Sequence, residues 1–250
     1  MKILACYNMK GGVGKTTACV NLAHRAALEG LRTLLWDLDP QGAATWHLGV
    51  EPAREAGLKK LIKKKGLLDD MLRPSPYPGL HVIPAGFEYR HLDALLDDDP
   101  KKSKKLGKTL RAFENAYDVL FLDCPPSISA LSEAVFHIAD HVLMPLVPLE
   151  LSRMTYERVG RYLAEELSCP VDVVPFFNMA DKRRVVHRRV MKELRAGGGF
   201  CEQAIPRRAD LERMGVERRP VAAFAPDSDS ALAFMLLFRE IASRCGLGGR

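Results

Sequence analysis

The chain has 250 residues, 47% of them hydrophobic and 27% charged, with a formal net charge of +6. This is ordinary globular composition, long enough to bury roughly 70–75% of the unfolded surface, and it excludes a disordered or fibrous chain. No apolar run reaches the roughly 20 residues that span a bilayer, and the start, Met1-Lys2-Ile3, leaves no room for a signal peptide, so a cytoplasmic protein is expected.

In chain order, Ile3-Leu4-Ala5-Cys6-Tyr7 reads as a buried strand, followed by a glycine-rich stretch and a helix over 16–29. Residues 31–36 read as a second buried strand ending at Asp37, and 42–48 as a short helix or turn. Residues 51–78 lack a regular period. A short strand over 80–84 and a helical stretch over 88–96 follow. A charged loop over 97–105 leads into a helix reaching about 115. Residues 119–122 form a strongly apolar strand ending at Asp123, and 129–138 a helix. The strand 141–144 is closed by Pro145 and Pro148. A helix over 152–167 takes Ser152 as its cap. Residues 171–177 read as a strand interrupted by Pro175. A basic helix over 183–195 is stopped by Gly197-Gly198-Gly199, and an amphipathic helix over 227–245 closes the chain, its apolar side expected to pack on the core. Apolar strands alternating with helices predict an α/β fold, with a mainly parallel sheet covered by helices on both faces, in a single domain over 1–250.

The six cysteines, Cys6, Cys19, Cys124, Cys169, Cys201 and Cys245, form no C-x-x-C pair and read as reduced, small hydrophobes. The histidines show no zinc-ligand spacing. Charge is concentrated late in the chain. Between Lys182 and Arg219 lie twelve Lys/Arg and five Asp/Glu, so this segment carries the whole positive excess, which reads either as the footprint of a polyanion partner or as basic helices with solvated faces.

The most informative stretch is Met9-Lys10-Gly11-Gly12-Val13-Gly14-Lys15-Thr16-Thr17. Strand, glycine-rich loop and helix are the context of a phosphate-binding loop. Its glycines let backbone N–H groups approach phosphate oxygens. Lys15 brings a point charge to the β/γ-phosphates, and Thr16 a hydroxyl for Mg²⁺. Such a loop needs carboxylates at the ends of neighbouring strands to hold Mg²⁺ and place the attacking water. Asp37-Leu38-Asp39-Pro40-Gln41-Gly42 and Asp123-Cys124-Pro125-Pro126-Ser127 stand at those places.

The usual G-x-x-x-x-G-K-S/T would put glycine at position 9, where this chain has Met9, and Lys10 precedes the double glycine instead. The string resembles the deviant Walker A motif, K-G-G-x-G-K-S/T-S/T, of the ParA/MinD family of P-loop ATPases, and most closely its Soj-type partition members. The resemblance implies the P-loop NTPase fold, with ATP and Mg²⁺ as cofactors and a homodimer that sandwiches ATP. Lys10 would then cross the interface to the nucleotide of the other subunit. It assigns Asp39 to orienting water and contacting Mg²⁺ through its shell, and Asp123, in a D-x-P-P-S Walker B motif, to water-mediated Mg²⁺ contact. An aspartate's ordinary pKa of about 3.9 makes positioning water its expected part, and ATP hydrolysis that is weak alone and raised by dimerisation or a partner is expected. The catalytic set is Lys10, Lys15 and Asp39. The nucleotide set is Lys10, Gly11, Gly12, Val13, Gly14, Lys15, Thr16 and Thr17, with Asn178 and Pro206 against the base.

Asn178-Met179-Ala180-Asp181-Lys182-Arg183 and Ile205-Pro206-Arg207 extend the resemblance. It implies non-specific binding of double-stranded DNA by the ATP dimer, through Arg183, Arg184, Arg188, Arg208 and Arg213. It also implies association with the nucleoid and a ParB-like or other cargo-adaptor partner that triggers hydrolysis. The chain departs from the family where Asp210 replaces a DNA-contacting arginine, and at Val147-Pro148-Leu149-Glu150. The cargo therefore stays open. The alternatives are a membrane-cycling MinD-like ATPase, for which the C-terminal helix offers no stable anchor, and a metabolic or electron-transfer relative. Lysine clusters at 59–65 and 101–105 read as solvated, with an extended DNA face as the other reading.

Overall fold

The computed structural model describes residues 1–52, 71–86, 89, 91–97, 106–108, 110, 111 and 113–248. The lysine clusters at 59–65 and 101–105 lie outside the described residues. Among the described residues seven strands form one sheet: β1 (Lys2–Cys6), β2 (Thr33–Asp37), β3 (Arg73–Pro74), β4 (Leu80–Ile83), β5 (Val119–Asp123), β6 (His141–Leu146) and β7 (Asp172–Phe177). Their order is β3-β4-β2-β5-β1-β6-β7. Every pairing is parallel except the edge hairpin β3–β4.

The helices are α1 (Lys15–Leu28), α2 (Ala43–His47), α3 (Leu92–Asp97), α4 (Ala130–Ile138), α5 (Glu150–Arg161), α6 (Val185–Ala196), α7 (Ala209–Glu217), α8 (Val221–Phe224) and α9 (Asp229–Cys245). Side chains alternate across each strand, so both sheet faces are apolar. Ile3, Ala5, Leu34 and Trp36 meet Val135, Phe136, Val159 and Val190 from α4, α5 and α6. Leu4, Cys6 and Leu35 meet Ala18, Leu22, Phe234, Leu237 and Phe238 from α1 and α9. The apolar side of α9 is therefore spent on the core, capped at its start by Ser228, whose hydroxyl accepts from the Ala231 N–H. All six cysteines are buried and unbridged. Among the described residues no helix is long and apolar enough to cross a membrane.

Two prolines sit inside strands that the sequence ends or interrupts at them. β6 runs through Pro145 to Leu146. In a parallel ladder the N–H at 145 would donate to the chain just beyond β1. Proline has none, so the β1–β6 pairing ends at Cys6↔Leu143 while the other edge of β6 pairs with β7 up to Leu146. Pro175 likewise lies within β7, the sheet edge, with its missing N–H on the outer side, where its carbonyl accepts from Cys201 N–H at 2.9 Å. Ser152 is not the cap of α5. The helix begins at Glu150 with Leu149 at the cap position, and Ser152 is buried in its first turn.

Candidate active site

The loop after β1 is held from several sides. Asn8, fully buried, donates from Nδ2 to the Pro145 carbonyl at 2.8 Å and accepts the Lys10 N–H on Oδ1 at 2.9 Å. It thus takes up the strand carbonyl that Pro145 leaves beside β1. Gly12 and Gly14 take φ of +72° and +82°, the left-handed region that glycine enters without strain. Gly14 caps α1, whose first N–H groups have no partners within the helix and face the loop. Lys15 is buried, and its Nζ donates to the Lys10 carbonyl at 2.9 Å. Burial lowers its pKa, against the upward pull of Asp123 and Asp39.

The carboxylates arrive from the sheet register. Cys6, Asp37 and Asp123 stand level at the carboxyl ends of β1, β2 and β5. Asp37 accepts from Thr45 N–H at 2.8 Å and Thr45 Oγ1 at 2.7 Å, and so anchors α2. Burial pushes its pKa up to about 6 against those hydrogen bonds. Asp39 is half-buried and accepts the Gln41 N–H at 3.0 Å. Asp123 differs from both. Neither of its oxygens has a hydrogen-bond partner, and both are buried. Burial, then the charge of Asp37, drives its pKa well up, while the Thr16 hydroxyl, close by but outside hydrogen-bond geometry, and the Lys15 charge pull it down. A buried carboxylate with no partner is costly. It suits a hydrated cation, and Thr16 and Asp39 flank the same place.

The structure therefore brings Lys15, Thr16, Asp39 and Asp123 together. It directs Lys10 elsewhere: Nζ donates to the Leu151 carbonyl at the start of α5, at 2.7 Å. Asn178 and Pro206 lie on adjacent segments, joined by the Ile205 N–H on the Phe177 carbonyl at 2.8 Å and the Ala180 N–H on the Ile205 carbonyl at 2.9 Å, but their side chains meet different surroundings. Asn178 is buried against the loop, with Nδ2 on the Val13 carbonyl at 2.8 Å. Pro206 bridges Ala180 and rims a cavity of about 440 Å³ with Arg183, Arg207 and Arg208.

Of the DNA candidates, Arg183 and Arg208 share that rim, but each is paired, with Asp181 at 3.1 Å and Asp229 at 2.7 Å. Arg213 pairs with Glu217 at 2.6 Å and lies over the Phe224 ring. Arg184 and Arg188 are exposed, and no carboxylate among the described residues lies within ion-pair distance of either. Asp210 is turned inward, accepting from Ser230 Oγ at 2.8 Å. Sequence reasoning did not single out Asn8 or Thr45 as site builders, and it placed Asp37 at the strand end without a role of its own. The signal was a polar residue at the end of an apolar strand and, for Thr45, a hydroxyl eight residues beyond Asp37.

Residues 1–164 match a family model described as an AAA domain. The chromosome-partitioning ATPase Soj of Treponema pallidum is 32% identical over 254 residues, covering 98% of each chain. A putative plasmid partition protein from Borrelia burgdorferi, solved with AMPPNP, superposes with a TM-score of 0.81 at 20% identity, over 97% of this chain and 99% of that one. Cobyrinic acid a,c-diamide synthase from Mycobacterium smegmatis, solved with an ATP analogue and magnesium, reaches a TM-score of 0.83 at 23% identity, over 100% and 97%. At such identities the structural likeness shows the fold alone. The sequence relatives show the family.

Proposed function

The chain belongs to the ParA/MinD family of deviant Walker A P-loop ATPases, and from that premise we propose that it is an ATP-switched dimer that binds DNA non-specifically and positions a cargo. It uses ATP and Mg²⁺ and acts as one domain in the cytoplasm, on the nucleoid when ATP is bound. The observation that carries the reading is the partnerless, buried Asp123 carboxylate facing Lys15 and Thr16 under the loop.

In this reading the loop N–H groups from Gly11 to Thr17 cradle the phosphates, and Lys15 neutralises the β/γ-oxygens. Thr16, Asp39 and Asp123 would hold Mg²⁺. The cation, when bound, supplies charge neutralisation at the phosphates. Asp39 orients the attacking water. Phosphoryl transfer depends on placement and charge, so a site lacking the partner subunit's Lys10 hydrolyses slowly. Lys10 leaves the Leu151 carbonyl to reach across the closed dimer, which couples ATP to dimerisation. The basic start of α6 then meets DNA phosphates, and a ParB-like or other adaptor on the cargo triggers hydrolysis and release.

The test is binding to random-sequence duplex DNA with ATP and with ADP, at low and moderate salt. ATP-dependent binding that falls steeply with salt and is lost in Lys10→Ala is expected. Intact ATP-dependent dimerisation with no DNA binding in any nucleotide state would overturn the DNA reading and leave the ATPase standing.

A further inference from the structure

Asn178 is the first residue after β7. Its N–H donates to the Leu146 carbonyl at 2.9 Å, which ties it to the end of β6. Its side chain is buried, and Nδ2 holds the Val13 carbonyl at 2.8 Å, 165 residues earlier in the chain. In a trans peptide the carbonyl of one residue and the N–H of the next point in opposite directions. Fixing the Val13 carbonyl on Asn178 therefore aims the Gly14 N–H to the opposite side of that peptide.

The packing leaves little slack. A Cβ on Gly14 would lie 2.2 Å from Asn178 Nδ2 and 3.3 Å from Met179 Cε. Met179 adopts φ of +53°, an uncommon conformation for a non-glycine residue. The segment after β7 is thus shaped to the back of the loop.

We propose that Asn178 is a positioning residue for the phosphate loop, acting on nucleotide binding through the phosphates rather than through the base. This rests on reading the loop as the nucleotide's phosphate site. Without the amide donor the Val13 carbonyl is left buried and unpaired, and the loop gives up its preset orientation.

The experiment compares Mg²⁺-ATP with Mg²⁺-tripolyphosphate, which has no base, by calorimetry on the wild type, Asn178→Ala and Asn178→Asp, with folding checked by circular dichroism. Expected is a similar loss for both ligands in Asn178→Ala, about tenfold for a hydrogen bond to a buried carbonyl. Asn178→Asp loses more, because its carboxylate faces the Val13 carbonyl without a donor. Unchanged tripolyphosphate affinity alongside weakened ATP binding and lost preference for ATP over GTP overturns the proposal in favour of a base contact. No change for either ligand overturns it as well.

Should the variants fail to fold, the wild type answers. The ¹⁵N-labelled side-chain amide of Asn178 should shift on adding tripolyphosphate, and a resonance that moves with ATP alone overturns the proposal. A wild type that binds neither ligand brings down the phosphate-loop reading itself, whereas one that binds both with Asn178→Ala unaffected removes only this inference.

Discussion

At the residue scale the decisive group is Asp123. Both oxygens are buried without partners, level with Asp37 on the neighbouring strand. Desolvation of an unpaired carboxylate costs the ligand-free fold stability. Asp123→Asn should therefore raise the melting temperature of the ligand-free protein by a few degrees, at about 2–4 °C per kcal/mol for a chain of this size. The same variant should lose the stabilisation that Mg²⁺-ATP gives the wild type. Protons and a cation compete for the carboxylate. A carboxyl with a raised folded pKa contributes stability below its ordinary value and loses it as pH rises through the folded one, which for neighbouring Asp37 means from about 4 to about 6. The wild-type gain from Mg²⁺-ATP should accordingly grow as pH rises above the ordinary carboxylate range, since burial raises the Asp123 pKa. Thermal melts across pH check both, and an Asp123→Asn protein that melts lower and still gains from Mg²⁺-ATP would refute the assignment. Asp39 and Asp123 were legible because each follows an apolar run beside a glycine-rich loop. The division of labour between Asp37 and Asp39 came only from the family resemblance, and its structural cause was not legible. It depends on Thr45 being folded back onto Asp37 by a left-handed Gly42.

At the element scale, strand and helix positions followed from apolar period and turn residues, while the two prolines misled. Proline ends a strand only where its missing N–H is needed, and that depends on which edge of the strand still has a neighbour. Pro145 ends one ladder and spares the other. Pro175 faces off the sheet edge. Neither fact is readable without the strand order. Asp210 teaches the same lesson for helices. Read as a substitution in a DNA-contacting slot, it also serves as a tether. Its Oδ1 receives Ser230 Oγ at 2.8 Å, and Ser230 is fully buried at the start of α9. The contact fastens the N-terminus of α7 to that of α9, while its charge complements the first turn of α7. Asp210→Ala should cost about 1–2 kcal/mol of unfolding free energy, since it orphans a buried hydroxyl, with nucleotide affinity unchanged. Urea denaturation reads the first and calorimetry the second. A loss within error would mean that Ser230 finds another partner.

At the scale of the whole molecule, the positive excess of residues 182–219 does not form one undifferentiated patch. Ion pairs divide it. Arg183, Arg208 and Arg213 each face a carboxylate at 3.1 Å or less. Arg188 spends Nη1 on the Lys182 and Arg183 carbonyls, which are neutral, and so keeps its charge while being held in place. Arg184 is exposed at the cap of α6. A phosphate competes poorly for a guanidinium that already has a carboxylate, and surface pairs of this kind add little stability in themselves. Each phosphate contact to duplex DNA contributes about −0.9 to the slope of log affinity against log salt. Arg184→Ala and Arg188→Ala should each make that slope shallower by about one and weaken binding whatever the DNA sequence. Arg208→Ala and Arg213→Ala should leave the slope nearly unchanged, since each removes a cation already neutralised. Titrations of the ATP-bound protein with random duplex DNA at four or five salt concentrations measure the slopes directly. Equal effects at all four arginines would mean that the pairs open on binding and that the whole segment meets DNA as one surface. The reverse order, with Arg208 and Arg213 dominant, would move the DNA-facing side from α6 to α7.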